Sequence, residues 1–316
     1  MDYPQLSRRT LLAAGATLLD SARPSRAADE KPRTKVFIFS KHLQFLAGEE
    51  LAKGAANIGF DGIDITVRGG GHVDPARVKQ DLPPLVRIIR AHGLEVPMIT
   101  TDIVDTQTPY TEDILQTMES LGIRNYRWGG YKYTAGQPYA AQLEAMKPRI
   151  AKLAALNSRY HACAMYHTHS GVGLVGASIW DLYVLLKDYD PNAVGVNFDV
   201  GHSVIEGGVG GWINSFHITE PRLRGIAVKD FLWAKDAGGN WRPQWKPLGE
   251  GMVHLPQFFG MVAAARFSGP MQLHFEYPLG GATGGKKSPG INTDEIYSAM
   301  KRDLGKLRGY LVEANL

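Results

Sequence analysis

A chain of 316 residues with 44% hydrophobic character is long enough to bury a large core, as one barrel-sized domain or as two smaller ones. A formal charge of +4, with no lysine or arginine block after residue 27 closer to one than Lys286-Lys287, argues against a nucleic-acid-binding surface. The single cysteine, Cys163, excludes an internal disulfide framework.

Residues 1–27 read as a cleavable export signal. Ser7-Arg8-Arg9-Thr10-Leu11-Leu12 carries paired arginines, residues 11–19 are moderately apolar, and Ser25-Arg26-Ala27-Ala28 offers small residues for cleavage. The pairing resembles the twin-arginine type, whose substrates fold before export, often with a cofactor in place. The apolar run is too short for a permanent membrane anchor. Cleavage after Ala27 would lower the formal charge from +4 to +2 and leave residues 28–316 as the mature protein, periplasmic or secreted.

From Thr34 onward short apolar runs alternate with helical stretches. Residues 36–40 predict a strand, 49–58 a helix, 62–67 a second strand, and 75–91 a helix interrupted near Pro83-Pro84 and closed by His92-Gly93. Further strands are expected over 94–100 (with Pro97 inside), 123–128, 162–166, 194–199, 226–230 and 271–276. Helices are expected over 111–121, 142–156, 178–187, 212–219, 255–265 and 293–313, the one at 212–219 after a glycine-rich turn. Eight strand–helix units in strict alternation, with no long polar linker, specify an α/β fold: a single-domain (β/α)8 TIM barrel. An open doubly wound sheet would need a glycine fingerprint after the first strand, where the chain reads Phe39-Ser40-Lys41-His42.

In such a barrel the chemistry collects at the carboxyl ends of the strands. Lys41 and His42 follow the first strand, Asp64 lies in the second with Arg68 and His72 beyond it, and Trp128 ends the fourth. His167-Thr168-His169 follow the fifth, Asp199 and His202 the sixth, Lys229 and Asp230 the seventh, His274 and Glu276 the eighth. His92, His217 and His254 fall at or in helices and read as surface histidines.

Asp199 and Glu276 end strands two apart around the barrel, so both carboxylates can enter one mouth. With histidines they form a ligand set for Mg, Mn, Co or Zn; the alternative is that loop amides or Lys229 hold them. His167 and His169, separated by one residue of extended chain, can both face the cavity, as metal ligands or as substrate contacts. Lys229 is either a proton donor or a structural ion-pair partner. The long loop 231–251 holds Trp233, Trp241 and Trp245, suited to stack on a sugar ring as a lid or to anchor the loop. Residues 280–287 graze the phosphate-loop pattern, but Lys287 stands where a hydroxyl should follow the lysine, and the stretch reads as a mobile loop.

The motifs Gly62-Ile63-Asp64-Ile65-Thr66-Val67-Arg68, Tyr166-His167-Thr168-His169, Asn197-Phe198-Asp199-Val200-Gly201-His202, Val228-Lys229-Asp230-Phe231 and Phe275-Glu276-Tyr277 carry a family resemblance. Through them almost the whole chain after the signal resembles the xylose-isomerase-like superfamily of TIM barrels, the sugar phosphate isomerases/epimerases. The resemblance implies one divalent metal, held in relatives by a glutamate after strand five, an aspartate after strand six, a histidine on strand seven and a glutamate ending strand eight. Asp199 and Glu276 match that pattern. His167 stands near the first glutamate's place, and Ala227-Val228-Lys229-Asp230 replaces His-Val-Lys-Asp. The implied ligands are Asp199, Glu276 and one or both of His167 and His169, the other reading being no metal at all.

By the same resemblance Glu276 is one base, and His167, His169, His202 or Lys229 takes the part of the missing second glutamate. Lys41, Asp64, Arg68, His72, Trp128, Asp230 and His274 are expected to contact substrate. The implied reaction is proton transfer next to a carbonyl, by an isomerase/epimerase or a keto-sugar or keto-glycoside lyase/hydratase. Export favours an unphosphorylated carbohydrate. The alternative is a non-catalytic sugar-binding barrel with a decayed metal site; the nuclease branch of the superfamily is disfavoured by the low charge. The expected partner is a small carbohydrate, without nucleic acid or a membrane anchor, and a homo-oligomer is compatible with the sequence.

Overall fold

The computed structural model describes residues 33–316, so the export signal and its cleavage site lie outside the described residues. Eight parallel strands close into a barrel: β1 (Val36–Phe39), β2 (Gly62–Val67), β3 (Met98–Thr101), β4 (Asn125–Trp128), β5 (Cys163–His167), β6 (Val194–Asp199), β7 (Leu223–Val228) and β10 (Met271–Leu273), each paired with the next and β10 with β1. Most of these strands are buried along their whole length, as their near-continuous runs of branched and aromatic residues require. Around them stand α1 (Gly48–Ile58), α2 (Val78–Ala91), α3 (Thr111–Leu121), α4 (Tyr139–Arg159), α5 (Ile179–Leu186), α6 (Val200–Thr219), α7 (Leu255–Ala264) and α8 (Thr293–Glu313). This is the α/β TIM barrel that the alternation of elements specified.

The main core fills the layer between strands and helices. Phe198 on the outer side of β6 meets Phe216 of α6 and Phe258 of α7 at 5.5 and 6.1 Å between ring centroids, aromatic packing that fixes how these two helices lean on the sheet. The helix α2 runs through Pro83 and Pro84 without the expected break. Its apolar residues Val78, Leu82, Leu85, Val86 and Ile89 recur at helical spacing and are all buried, and this packing outweighs the backbone bonds lost at the prolines.

Two further expectations are corrected. The glycine-rich turn does not follow β6 directly: α6 begins at once, with Asp199 as its N-cap, and the break comes later, at Gly208, whose φ of 58° and ψ of −145° suit glycine alone. The long loop after β7 is an antiparallel hairpin, β8 (Asp230–Lys235) and β9 (Trp241–Lys246). The turn Asp236–Asn240 closes it: the Asp236 carboxylate accepts from the backbone N–H groups of Gly238 and Asn240.

The barrel interior is unusually polar. Beneath the mouth, Thr100 Oγ1 donates to Asp64 Oδ2 at 2.7 Å, Gln272 Nε2 donates to the same oxygen, and Asn197 Nδ2 donates to Gln272 Oε1 at 2.9 Å. These side chains tie β2, β3, β6 and β10 together across the axis. Met98, Cys163 and Met165 form a small apolar cluster separate from the main core.

Candidate active site

A cavity of about 250 Å³ opens at the carboxyl ends of the strands. Phe39, Lys41, Arg68, Arg127, His167, His169, His202, Lys229, Trp245, His274 and Glu276 line it. Of the residues proposed from the sequence, Lys41, Arg68, His167, His169, His202, Lys229, His274 and Glu276 therefore share one cavity, and Asp199 lies fully buried at its base. Two larger cavities, about 390 Å³ each, open around Asn125, Asn192 and Arg224. They lie toward the amino ends of β4, β6 and β7, the face that serves stability in barrels of this type.

Asp199 organises the site. Its Oδ1 accepts the backbone N–H of His202 at 3.0 Å, capping α6, and its backbone N–H donates to Thr168 Oγ1 at 2.8 Å. Its Oδ2 has no hydrogen-bond partner, although Lys229 Nζ lies 3.2 Å away, His167 Nε2 3.4 Å and His274 Nδ1 3.9 Å. Burial alone would raise this carboxyl, yet Lys229 above all, with His202 and His274, holds it down at about 2.

Lys229, at the end of β7, is the hub above it. Its ammonium donates to His202 Nε2 at 2.8 Å, lies 3.8 Å from Glu276 Oε1, and sits 4.3 Å from the centre of the Trp245 ring. With Nε2 accepting, His202 carries its proton on Nδ1 and donates it to Ser170 Oγ at 2.8 Å. Burial first, then Lys229, pushes the His202 pKa well below its ordinary value, so the ring is neutral. Burial does the same to His167, His274 and His42, and brings His169 down to about 3. His42 Nε2 accepts the backbone N–H of Phe275 at 3.2 Å and so fixes the segment that carries Glu276.

Four expected substrate contacts fall elsewhere. Asp64 lies below the floor in the polar layer, where burial raises it to about 7. The two nitrogens of His72 are spent on Thr66 Oγ1 and the Leu46 carbonyl, at 3.0 and 3.2 Å. Trp128 donates its indole N–H to the Val104 carbonyl and lines a neighbouring cavity of about 230 Å³ that shares His167 and His169 with the first. Asp230 turns away from the pocket: its carboxylate accepts backbone N–H groups of Phe231, Gly249, Gly251 and Val253 and hangs the hairpin from the barrel. A Cβ at Gly251 would stand 2.0 Å from Asp230 Oδ1, which is why the chain needs glycine there.

Two cavity residues escaped the sequence reading. Arg127, inside β4, donates Nη2 to His169 Nε2 at 2.9 Å, and Phe39 supplies the aromatic floor, stacked on His274 at 5.1 Å. The signal for Arg127 was its place two residues from Asn125 in a short strand, on the face opposite to Tyr126 and Trp128.

The resemblance implies a divalent metal, and two groups of side chains have the spacing to hold one: His167, His169 and His202, and His167, Asp199 and His274. In the first, the Nε2 atoms of His169 and His202 already accept from Arg127 and Lys229. The second fits better, because it pairs neutral imidazoles with the orphaned Asp199 Oδ2, a donor set suited to first-row divalent ions. This group overlaps the expected ligand set in part. Asp199 and His167 stay, His274 joins them, His169 is engaged by Arg127, and Glu276 belongs to neither group. Lys229, 3.2 Å from the same oxygen, competes with any ion there.

A sequence family described as xylose isomerase-like TIM barrel matches residues 52–294. No curated protein matches the chain. Among solved structures, D-psicose 3-epimerase from Clostridium cellulolyticum H10 is similar with a TM-score of 0.63 at 13% identity, over 88% of this chain and 99% of that one. The 3-keto-D-glucoside 4-epimerase of E. coli gives 0.61 at 12%, over 88% and 100%. The probable 3-DHS dehydratase of Bacillus anthracis gives 0.62 at 17%, over 85% and 98%. These identities carry the fold, and the match over most of the chain carries the family: the protein belongs to the xylose isomerase-like TIM barrels.

Proposed function

We propose that this chain is an exported, sugar-active enzyme that removes a proton next to a carbonyl, with Glu276 as the base and the Lys229 ammonium as the acid. The observation that carries the reading is their meeting in the cavity, 3.8 Å apart, one able to take a proton while the other gives one. Similar folds named for a keto-glucoside epimerase, a psicose epimerase and a dehydratase support a sugar or sugar-like substrate. The paired arginines and small-residue cleavage site of the first 27 residues support export.

Glu276 abstracts the proton on the carbon beside the carbonyl, and the charge that develops on the carbonyl oxygen lies near Lys229. His202, a neutral acceptor held by Ser170, orients the ammonium. Trp245 covers Lys229 and keeps water from it. A divalent ion, when bound, would be held by His167, Asp199 and His274 and would polarise a substrate oxygen.

Glu276 is the one carboxylate among the residues lining the cavity. Moving a proton between opposite faces of a carbon takes two bases, whereas eliminating a group β to a carbonyl takes one base and one acid. The lyase or hydratase form is therefore favoured over the epimerase.

The test is solvent deuterium exchange into D-fructose and a 3-keto-glucoside, with the wild type and Glu276→Gln. Exchange at the carbon next to the carbonyl, lost in the variant, is the expected result. Sugar binding without exchange would instead make the chain a non-catalytic sugar-binding barrel.

A further inference from the structure

We propose that the substrate carries a carboxylate, docked among Lys41, Arg68 and Arg127; this rests on the sugar-active reading above and adds the chemical class of the sugar. The three cations come from the ends of three strands and gather around one ring. Lys41 Nζ lies 6.0 Å from the centre of Phe39, and the guanidinium carbons of Arg68 and Arg127 lie 5.5 Å from it. All three line the cavity.

Among the described residues none of them is ion-paired. Arg127 donates to His169, a neutral acceptor, and Lys229, in contrast, has Asp199 at 3.2 Å. The three cations repel one another: burial first makes the Lys41 ammonium harder to keep charged, Glu276 offsets this in part, and Arg68 and Arg127 each add to it. Gathering like charges in a half-buried pocket is unfavourable unless an anion completes it. A neutral sugar could accept hydrogen bonds from these groups but would leave the repulsion in place.

The charge balance calls for an anion. Four cations, Lys229 included, face Glu276 and the buried Asp199, with Asp64 beneath the floor under Arg127. The set carries a net charge of +2 with Asp64 protonated and +1 with it ionised, so it calls for an anion, and the expected export favours a carboxylate over a phosphate ester. Two guanidinium groups also match the planar, two-oxygen face of a carboxylate. A cavity of about 250 Å³ lies just below the usual range for ligand pockets, which suits a single small sugar acid.

Calorimetric titration of the full-length protein with D-glucuronate, D-glucose and D-glucose 6-phosphate tests this. Glucuronate is expected to bind at least about tenfold more tightly than glucose. Arg68→Met and Lys41→Met, checked for intact fold by circular dichroism, are expected to erase that preference; Arg127 is too deeply set to be the primary probe. Glucuronate binding no tighter than glucose, absence of binding included, overturns the proposal, as does a preference that survives both substitutions. Tighter binding of glucose 6-phosphate than of glucuronate overturns the carboxylate in favour of a phosphate ester. The two readings fail separately. Deuterium exchange into neutral keto-sugars without a carboxylate preference sinks this inference alone, and carboxylate preference without exchange into any keto-sugar sinks the proton-transfer reading alone.

Discussion

The ammonium of Lys229 donates to Nε2 of His202 across 2.8 Å, which makes a lysine rather than a histidine the proton-bearing member of the pair. The same ammonium stands 3.2 Å from the Asp199 oxygen that a metal would use. Replacing it with an apolar side chain should act on two observables in opposite directions. Lys229→Met is expected to lower turnover by about 10²–10⁴-fold, the usual weight of a general acid. It is also expected to tighten binding of Zn²⁺ or Mn²⁺, because the competing cation is gone. Kinetics and metal titration of the one variant check both; unchanged turnover would remove Lys229 from the chemistry.

The ligand set His167, Asp199 and His274 makes a separate claim. After equilibration with Zn²⁺ or Mn²⁺ and gel filtration, elemental analysis should find metal on the wild type. The metal should be lost in His274→Ala and Asp199→Asn and kept in Glu276→Gln. Loss in Glu276→Gln would restore the set that the family resemblance implied.

Asp230 accepts four backbone N–H groups, so its replacement tests the suspension of the hairpin. Asp230→Asn places an NH2 group against these donors, and leaving buried donors unsatisfied costs about 1–3 kcal/mol each. A loss of at least about 2 kcal/mol in urea unfolding is expected, together with a shift in tryptophan emission as Trp245 leaves Lys229. A variant of wild-type stability and emission would show that the hairpin holds itself in place.

Acid should destabilise the metal-free protein. His42, His167, His202 and His274 lie well below their ordinary 6.5, and His169 at about 3, chiefly through burial. The unfolded chain therefore binds more protons below that pH. The stability tied to these rings is fully present above about 6.5 and is lost as pH falls, by up to about 1.4 kcal/mol per pH unit for each ring. Asp64, raised from 3.8 to about 7, acts in the opposite sense, costing stability as pH rises between those values. Burial raises Asp230 and Asp303 as well and lowers His72, so three raised carboxyls stand against six lowered imidazoles and the histidines remain in control. The urea midpoint should be lower at pH 5.5 than at pH 7.5; an equal or higher midpoint at pH 5.5 would mean that these rings are already protonated in the fold.

The barrel was legible because each buried strand is a short apolar run ending in polar residues, and Val194–Asp199 followed by His202 shows that pattern plainly. Eight residues of the expected site meet in one cavity for the same reason: strand ends converge whatever the loops do. Direction was harder to read. Lys229 and Asp230 are adjacent, yet alternation along the chain sends the first into the pocket and the second outward to the hairpin. The hairpin itself was hidden because β9 contains Pro243 and exposed polar residues, which read as loop. Arg127 was missed because an arginine in a short strand looks like surface until the opposite face proves to be the core.

Asp230, next to Lys229 in the chain, carries the hairpin whose Trp245 lies over Lys229. Ammonium and cover thus share one root, the end of β7. The hairpin is bolted to the barrel through the residue beside the one it shelters. Any ligand entering this pocket would meet an ammonium already aimed by His202.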